Sequence, residues 1–217
     1  MEGKSSTTTG PAGQTQEPPA QSSGEHAGEL SDAQLIRQFK EGRQSAFNQL
    51  VIRHQRRIYT ITRRMSGNHD DADDLAQEAF LAAYRALERF DERKSFIAFL
   101  SRIAINLSIN HLRRRKRWRR IETRHSEEAE QAVIGGAGAG ADRQMERDQM
   151  MVRLREAIAA LPPEQKAVLA LQVDQEMSYR EIAETLRISP GTVMSRLSRA
   201  RARLRRKLKE NSVAKRR

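Results

Sequence analysis

The sequence predicts an all-α protein: two small helical domains joined by a flexible linker, the second domain a helix-turn-helix. Three observations carry this. Apolar residues recur at helical spacing over several long stretches, while few segments alternate with period two. Capping signals stand at the heads of these stretches, where a side-chain oxygen can meet a free backbone N–H. A run of glycine and alanine, Gly135 to Ala141, divides the chain, and glycine loses more entropy on ordering than any other residue.

Residues 1–30 hold sixteen Ser, Thr, Gly or Pro and five apolar residues, too few to offset the cost of ordering, so a disordered tail is expected there. Ser31 with Gln34 fits a capping box and opens the first helix. Leu35, Phe39, Phe47, Leu50 and Val51 follow near helical spacing, with a break at Gly42. A second helix is expected from about Ser45 to Met65, stopping at Ser66-Gly67-Asn68. A third, opened by Asp70, should run from Asp71 to about Phe90, and a fourth from about Phe96 to Arg117 or beyond. These make a domain over 31–120. The linker spans 121–141. Helices resume near Asp142 and form a domain over 142–212, in which Leu161-Pro162-Pro163 ends one helix and starts the next. Residues 213–217 form a basic tail.

Composition narrows the function. The chain has 217 residues and a formal net charge of +12, which points to an anionic partner. It has no cysteine, which excludes a disulfide scaffold or a Cys-based zinc site and agrees with a reducing cytoplasm. No apolar run approaches the ~20 residues of a membrane span, so no membrane insertion is expected. Met1 to Ala20 has neither a basic start nor an apolar stretch, so no leader is expected.

The charges are divided. Residues 101–125 carry nine basic side chains and one acidic, and residues 177–217 carry thirteen and three. Residues 71–92 reverse this, with seven acidic and two basic, and residues 126–148 hold six acidic and two basic. Two basic surfaces, one per domain, flank acidic material. Arginine outnumbers lysine 32 to 8, and its planar fork can grip phosphate or guanine with paired hydrogen bonds.

In the second domain, Ser178 and Glu181 make a capping box, and Ser189 with Pro190 suits the start of another helix after a tight turn. Two short helices so joined read as helix-turn-helix. Val193, Leu197, Ala200 and Leu204 form an apolar stripe on the second helix. The amino-terminal turns of that helix enter the major groove in this motif, which makes Ser189, Gly191, Thr192, Met194, Ser195, Arg196, Arg199 and Arg203 the candidate DNA contacts.

In the first domain, Leu75, Ala79 and Ala82 or Ala83 make an apolar stripe, and Asp74, Gln77, Glu78 and Arg85 project from another face. Four aspartates near His69 lack the spacing and glycine of an EF-hand, so no metal is expected. On the fourth helix, Phe99, Ile103 and either Leu107 or Asn106 fall near one line, and Asn106 and Asn110 share a face. The helix turns basic at Arg113 and Arg114. Phe90, Phe96 and Phe99 near its start can stack on a base or pack in the core.

Taken in order, Asp71-Ala-Asp-Asp-Leu-Ala-Gln-Glu-Ala-Phe, Phe99-Leu-Ser-Arg-Ile-Ala-Ile-Asn, Leu161-Pro-Pro, Tyr179-Arg-Glu-Ile-Ala, Gly191-Thr-Val, Ser195-Arg196 and Arg199-Ala-Arg resemble the extracytoplasmic-function group of bacterial sigma factors, over about residues 31–210. The resemblance implies a transcription-initiation subunit that binds core RNA polymerase and recognises promoter DNA at its −10 and −35 elements. It matches Asp74, Gln77 and Glu78 to the polymerase-facing helix. Residues Phe90, Arg93, Lys94 and Ser95 match the loop that captures an extruded −10 base. Phe99, Asn106, Asn110, Arg113 and Arg114 match the −10-reading helix, and the helix-turn-helix matches the −35 reader. Many members are held inactive by an anti-sigma factor, which makes one a candidate partner. Phe99 stands where many members have tryptophan, residues 91–94 lack a frequent glycine, and Met194 stands where many carry a basic residue.

The alternative is a free-standing helix-turn-helix regulator with an amino-terminal sensor domain. A sensor needs neither the acidic helix nor the asparagine-bearing basic one. An enzyme is not expected: no nucleophile–base set appears and the five histidines are scattered. No cofactor is expected.

Overall fold

The computed structural model describes residues 30–122 and 142–214. The expected tail, and the linker beyond Glu122, lie outside the described residues. From Ser31 onward the chain forms one compact unit, all helical among the described residues.

Helix α1 (Asp32–Lys40) begins at the capping box, with the Ser31 N–H donating to Gln34 Oε1 at 2.7 Å and the Gln34 N–H to Ser31 Oγ at 3.3 Å. Helix α2 (Ser45–Ser66) ends where Gly67 takes a left-handed φ of 91°, a conformation that costs glycine nothing. Helix α3 (His69–Ala86) is capped by Asn68, whose side chain accepts from the Asp71 N–H at 2.8 Å. Asn68, and not Asp70, therefore opens this helix. It also stops short of Phe90: Leu87–Arg89 tighten into a 3₁₀ turn closed by the Phe90 N–H on the Leu87 carbonyl. Helix α4 (Phe96–Glu122) starts at Ser95, whose hydroxyl accepts from the Ala98 N–H at 3.3 Å.

Helices α2, α3 and α4 pack around one core, with α1 laid on α2. Leu50, Ile58, Ile61 and Met65 of α2 meet Leu75, Ala79 and Ala83 of α3 and Phe96, Leu100 and Ala104 of α4, all nearly or fully buried. Thr62 lies at the α2–α3 crossing, and its buried hydroxyl donates to the Ala72 carbonyl at 2.8 Å. Ala83, not Ala82, completes the apolar stripe of α3.

A polar contact locks α1 onto α2. Arg53 Nη1 lies 2.7 Å from Asp32 Oδ1, and Nε2 of the buried His54 lies 2.8 Å from Asp32 Oδ2. Burial pushes the Asp32 carboxyl up, but the hydrogen bonds and charges of His54 and Arg53 outweigh it and hold the group below its ordinary value. A carboxyl lowered by folding stabilises the protein above its unfolded value, and that contribution is lost as pH falls through the folded one. Asp32→Asn should therefore cost about 1–3 kcal/mol in urea unfolding at neutral pH. The gap from wild type should close below about pH 4. A gap that persists unchanged in acid would refute the assignment.

Helices α5 (Asp142–Ala159), α6 (Pro163–Val173), α7 (Tyr179–Leu186) and α8 (Pro190–Ala214) form the second domain. Leu161, Leu169 and Ala200 make its core, with Ile158 and Leu204 packed against it. Helix α6 is buried almost all round, from Ala167 to Leu171, because it lies between two sets of neighbours: α7 and α8 of its own domain, and α2 and α4 of the first.

The two domains thus pack together. Arg64 of α2 makes a paired contact with Asp174, whose side chain is only 7% exposed. Arg57 Nε donates to Gln175 Oε1 at 2.8 Å, and Gln175 Nε2 returns to the Arg57 carbonyl at 3.4 Å. Arg113 of α4 meets Glu164 of α6 at 3.0 Å. Like charges also face each other here. The Arg102 guanidinium is lowered by burial and by nearby Arg187, and the Lys166 ammonium by burial and by Arg115. No helix among the described residues is long and apolar enough to cross a membrane.

Candidate nucleic-acid interface

On α4, an advance of about 100° per residue places Phe99, Ile103, Asn106, Asn110, Arg113, Arg114 and Arg117 within about 60° of one line. Asn106, Asn110, Arg113 and Arg114 are exposed along it, and Phe99 and Ile103 are half-buried. Asn110, Arg113, Arg114, Lys116 and Arg117 line an open cleft. Amide and guanidinium groups on one exposed stripe can read base edges and grip phosphates together.

The other side of α4 is anchored. His111 Nε2 and Arg115 Nη1 lie 3.2 and 3.1 Å from Asp71 Oδ2, which also accepts from the Asn68 side chain. Burial raises the Asp71 carboxyl, but Asn68, His111 and Arg115 together hold it below its ordinary value. Asp71 therefore ties the head of α3 to α4, and the acidic face of α3 begins one turn later.

The loop before α4 is built from its base. Phe90 is buried, 4.7 Å from the Phe99 ring and 6.0 Å from that of Phe96 between centroids, so its ring packs in the core. Lys40 Nζ donates to the Phe90 carbonyl at 2.6 Å and to Glu92 at 2.8 Å, and this hydrogen bond is the largest cause holding the Glu92 carboxyl low. Arg93 donates from its side chain and backbone to Asp91, whose carboxyl falls to about 2. Arg93, Lys94 and Ser95 are left exposed at the tip.

On α3, Asp74, Gln77 and Glu78 are exposed on a face that continues through Leu81, 57% exposed, to Arg85. Periodicity alone does not mark Leu81, which lies off the apolar stripe of α3. Its signal is an apolar residue three positions beyond Glu78 on a charged face. An exposed leucine on this charged face offers apolar area that a protein partner can bury.

The helix-turn-helix forms as its caps require. Ser178 and Glu181 make both bonds of the capping box, and Ser178 is the largest cause lowering the Glu181 carboxyl. Arg187 turns the chain with a left-handed φ of 53°. The Thr192 N–H donates to Ser189 Oγ at 3.1 Å, and the two hydroxyls lie 2.9 Å apart. Val193, Leu197 and Ala200 are buried, and Leu204 is half-buried. Gly191, Met194, Arg199 and Arg203 are exposed, while Thr192, Ser195 and Arg196 are half-buried, with Ser195 Oγ donating to the Thr192 carbonyl at 3.0 Å. Burial raises the Glu164 carboxyl, but its own backbone N–H, Arg113 and Arg196 hold it low. The packed arrangement thus brings one candidate arginine from each domain to the same carboxylate.

Comparison with known proteins follows this division. Sigma-70 region 2 matches residues 50–118, and Sigma-70 region 4 matches residues 151–204. The chain is 34% identical over 193 residues to the ECF RNA polymerase sigma factor SigW of Bacillus subtilis, covering 84% of this chain and 99% of that one. It is 36% identical to the RNA polymerase sigma-H factor of Pseudomonas aeruginosa, over 78% of this chain and 90% of that one. Among solved structures it resembles CnrH in complex with the cytosolic domain of CnrY, with TM-score 0.57, 28% identity, and 82% and 97% of the two chains covered. It also resembles the sigma factor RpoE of Bartonella quintana in complex with the anti-sigma factor NepR, with TM-score 0.56, 27% identity, and 75% and 96% covered.

Proposed function

Because this chain belongs to the extracytoplasmic-function group of sigma-70-type RNA polymerase sigma factors, we propose that its exposed faces divide the work of promoter-directed initiation as follows. The α3 face of Asp74, Gln77 and Glu78, with Leu81, docks on core RNA polymerase. The α4 stripe of Asn106, Asn110, Arg113 and Arg114, with the loop tip Arg93, Lys94 and Ser95, engages the −10 element. Phe90 and Phe99 support that loop from within. Helix α8 carries the −35 contacts through Gly191, Thr192, Met194, Ser195, Arg196, Arg199 and Arg203, with Ser189 fixing its first turn.

The observation that supports this division most is the placement of α4. It exposes asparagines and arginines on one line and is anchored to α3 on the other side by His111 and Arg115. Such a subunit needs no catalytic group of its own. Extruding a base costs a few kcal/mol, which contacts to the opened strand and to polymerase offset. Its place is the cytoplasm, where polymerase and promoter are. A neighbour solved in complex with the anti-sigma factor NepR supports an anti-sigma factor as a regulatory partner of this chain.

The test is reconstitution. Full-length protein added to core polymerase should start transcription from a selected promoter, and Asn110→Ala with Arg114→Ala should lower the yield about tenfold or more. Equal transcription from the double variant would overturn the α4 assignment.

A further inference from the structure

We propose that Trp118 is a DNA-stacking residue, which takes the face of an unpaired base when the promoter strands separate. The proposal rests on the reading of α4 above and extends it by one helical turn beyond Arg114. Trp118 is the chain's single tryptophan, and it is 62% exposed. Indole is the largest apolar side chain, and its exposure on a rigid helix leaves a broad flat surface in water. Among the described residues no aromatic ring contact is formed by it.

Its surroundings select the occupant. Arg113, Arg114, Arg115, Lys116 and Arg117 precede it directly, and all are exposed. At about 100° per residue Trp118 falls about 20° from His111, about 40° from Arg114 and about 80° from Asn110, between the anchored side of α4 and the DNA-facing stripe. The Asp71 contacts to His111 and Arg115 hold the preceding turns in place, so the indole is presented by a supported helix. Arg114 and Arg115 lie about 40° and about 60° from Trp118 around the helix, and cations beside an exposed aromatic face fit a polyanion that also offers flat rings. Single-stranded nucleic acid has both, and stacking on an aromatic side chain tolerates any base. Duplex DNA shows only base edges in its grooves, so the flat contact requires an unpaired base.

Trp118 is also its own reporter, because no other tryptophan is present in the chain. Its emission should be quenched when the full-length protein is titrated at low salt with a mixed-sequence DNA single strand of about 15 nucleotides. The matching duplex should quench it far less. Trp118→Ala should weaken single-strand binding about tenfold, with Trp118→Phe recovering part of the loss. The salt dependence should stay unchanged, since no phosphate contact is removed. In the holoenzyme, Trp118→Ala should lower the fraction of open promoter by a similar factor.

Single-strand affinity equal to wild type in Trp118→Ala would overturn the proposal, as would equal quenching by duplex. A loss of core polymerase affinity in Trp118→Ala would also overturn it, by assigning the indole to a protein contact. Wild-type protein that starts no promoter-dependent transcription with core polymerase would instead sink the reading of α4 itself. Active wild type with an unaffected Trp118→Ala removes the stacking role alone.

Discussion

Asp74→Lys together with Glu78→Lys is expected to weaken binding to core RNA polymerase about a hundredfold and leave the fold intact. Both residues are exposed on α3, one turn apart, and among the described residues no ion pair holds either. Their reversal should therefore change stability by no more than about 0.5 kcal/mol, checked by the thermal helix signal. An interface that accepts an acidic face presents basic groups, and placing like charges together there costs several kcal/mol. Leu81→Ala on the same face should add a smaller loss that does not depend on salt, whereas the charge effect should shrink as salt rises. Direct binding to fluorescently labelled core would measure both. Unchanged affinity in the double reversal would remove this face from the polymerase contact.

The second large effect concerns the packing of the two domains. Asp174→Ala should separate them. Its carboxylate is nearly buried and pairs with Arg64, itself only 26% exposed. Removing one member of such a pair leaves an uncompensated charge, at a cost of about 3 kcal/mol. That is about a hundredfold in the equilibrium between packed and separated domains. The other polar ties are the Arg57–Gln175 hydrogen bonds and the solvent-exposed Arg113–Glu164 pair, while Arg102 faces Arg187 across the α4–α7 contact. Small-angle scattering should show a larger radius of gyration for Asp174→Ala than for wild type, with helix content unchanged. Arg64→Ala should do the same, and the double variant should add little, because both act through one contact. An unchanged scattering profile in Asp174→Ala would refute the role given to this pair.

The local structure was legible because it depends on residues a few positions apart. Ser31 with Gln34, Ser178 with Glu181 and Ser189 with Pro190 each carry a helix start within four residues, and Gly67 ends α2 through its own backbone freedom. The faces of α4 and α8 could be read for the same reason, since spacing along a helix decides which side chains point together. The start of α3 lies two residues ahead of the position its sequence suggests, because Asn68, Asp70 and Asp71 are all acceptable at a helix head and only the backbone entering that helix chooses among them.

What the sequence by itself determined is the helical order, the caps, the separation of charge between segments and the composition of each exposed face. These follow from local geometry and short-range hydrogen bonding. Tertiary structure alone decided which members of each set are free. It spent Asp71 on tying α3 to α4, turned Phe90 into the core, left Leu81 and Trp118 in water, and placed Asp174 and Gln175 against Arg64 and Arg57. The contacts of Asp71, Asp174 and Gln175 each depend on a partner about 40 to more than 100 positions away. A lone polar or apolar residue leaves no periodic trace of such a partner. Only the packing of the helices, which balances buried area against paired charge, brings the two together.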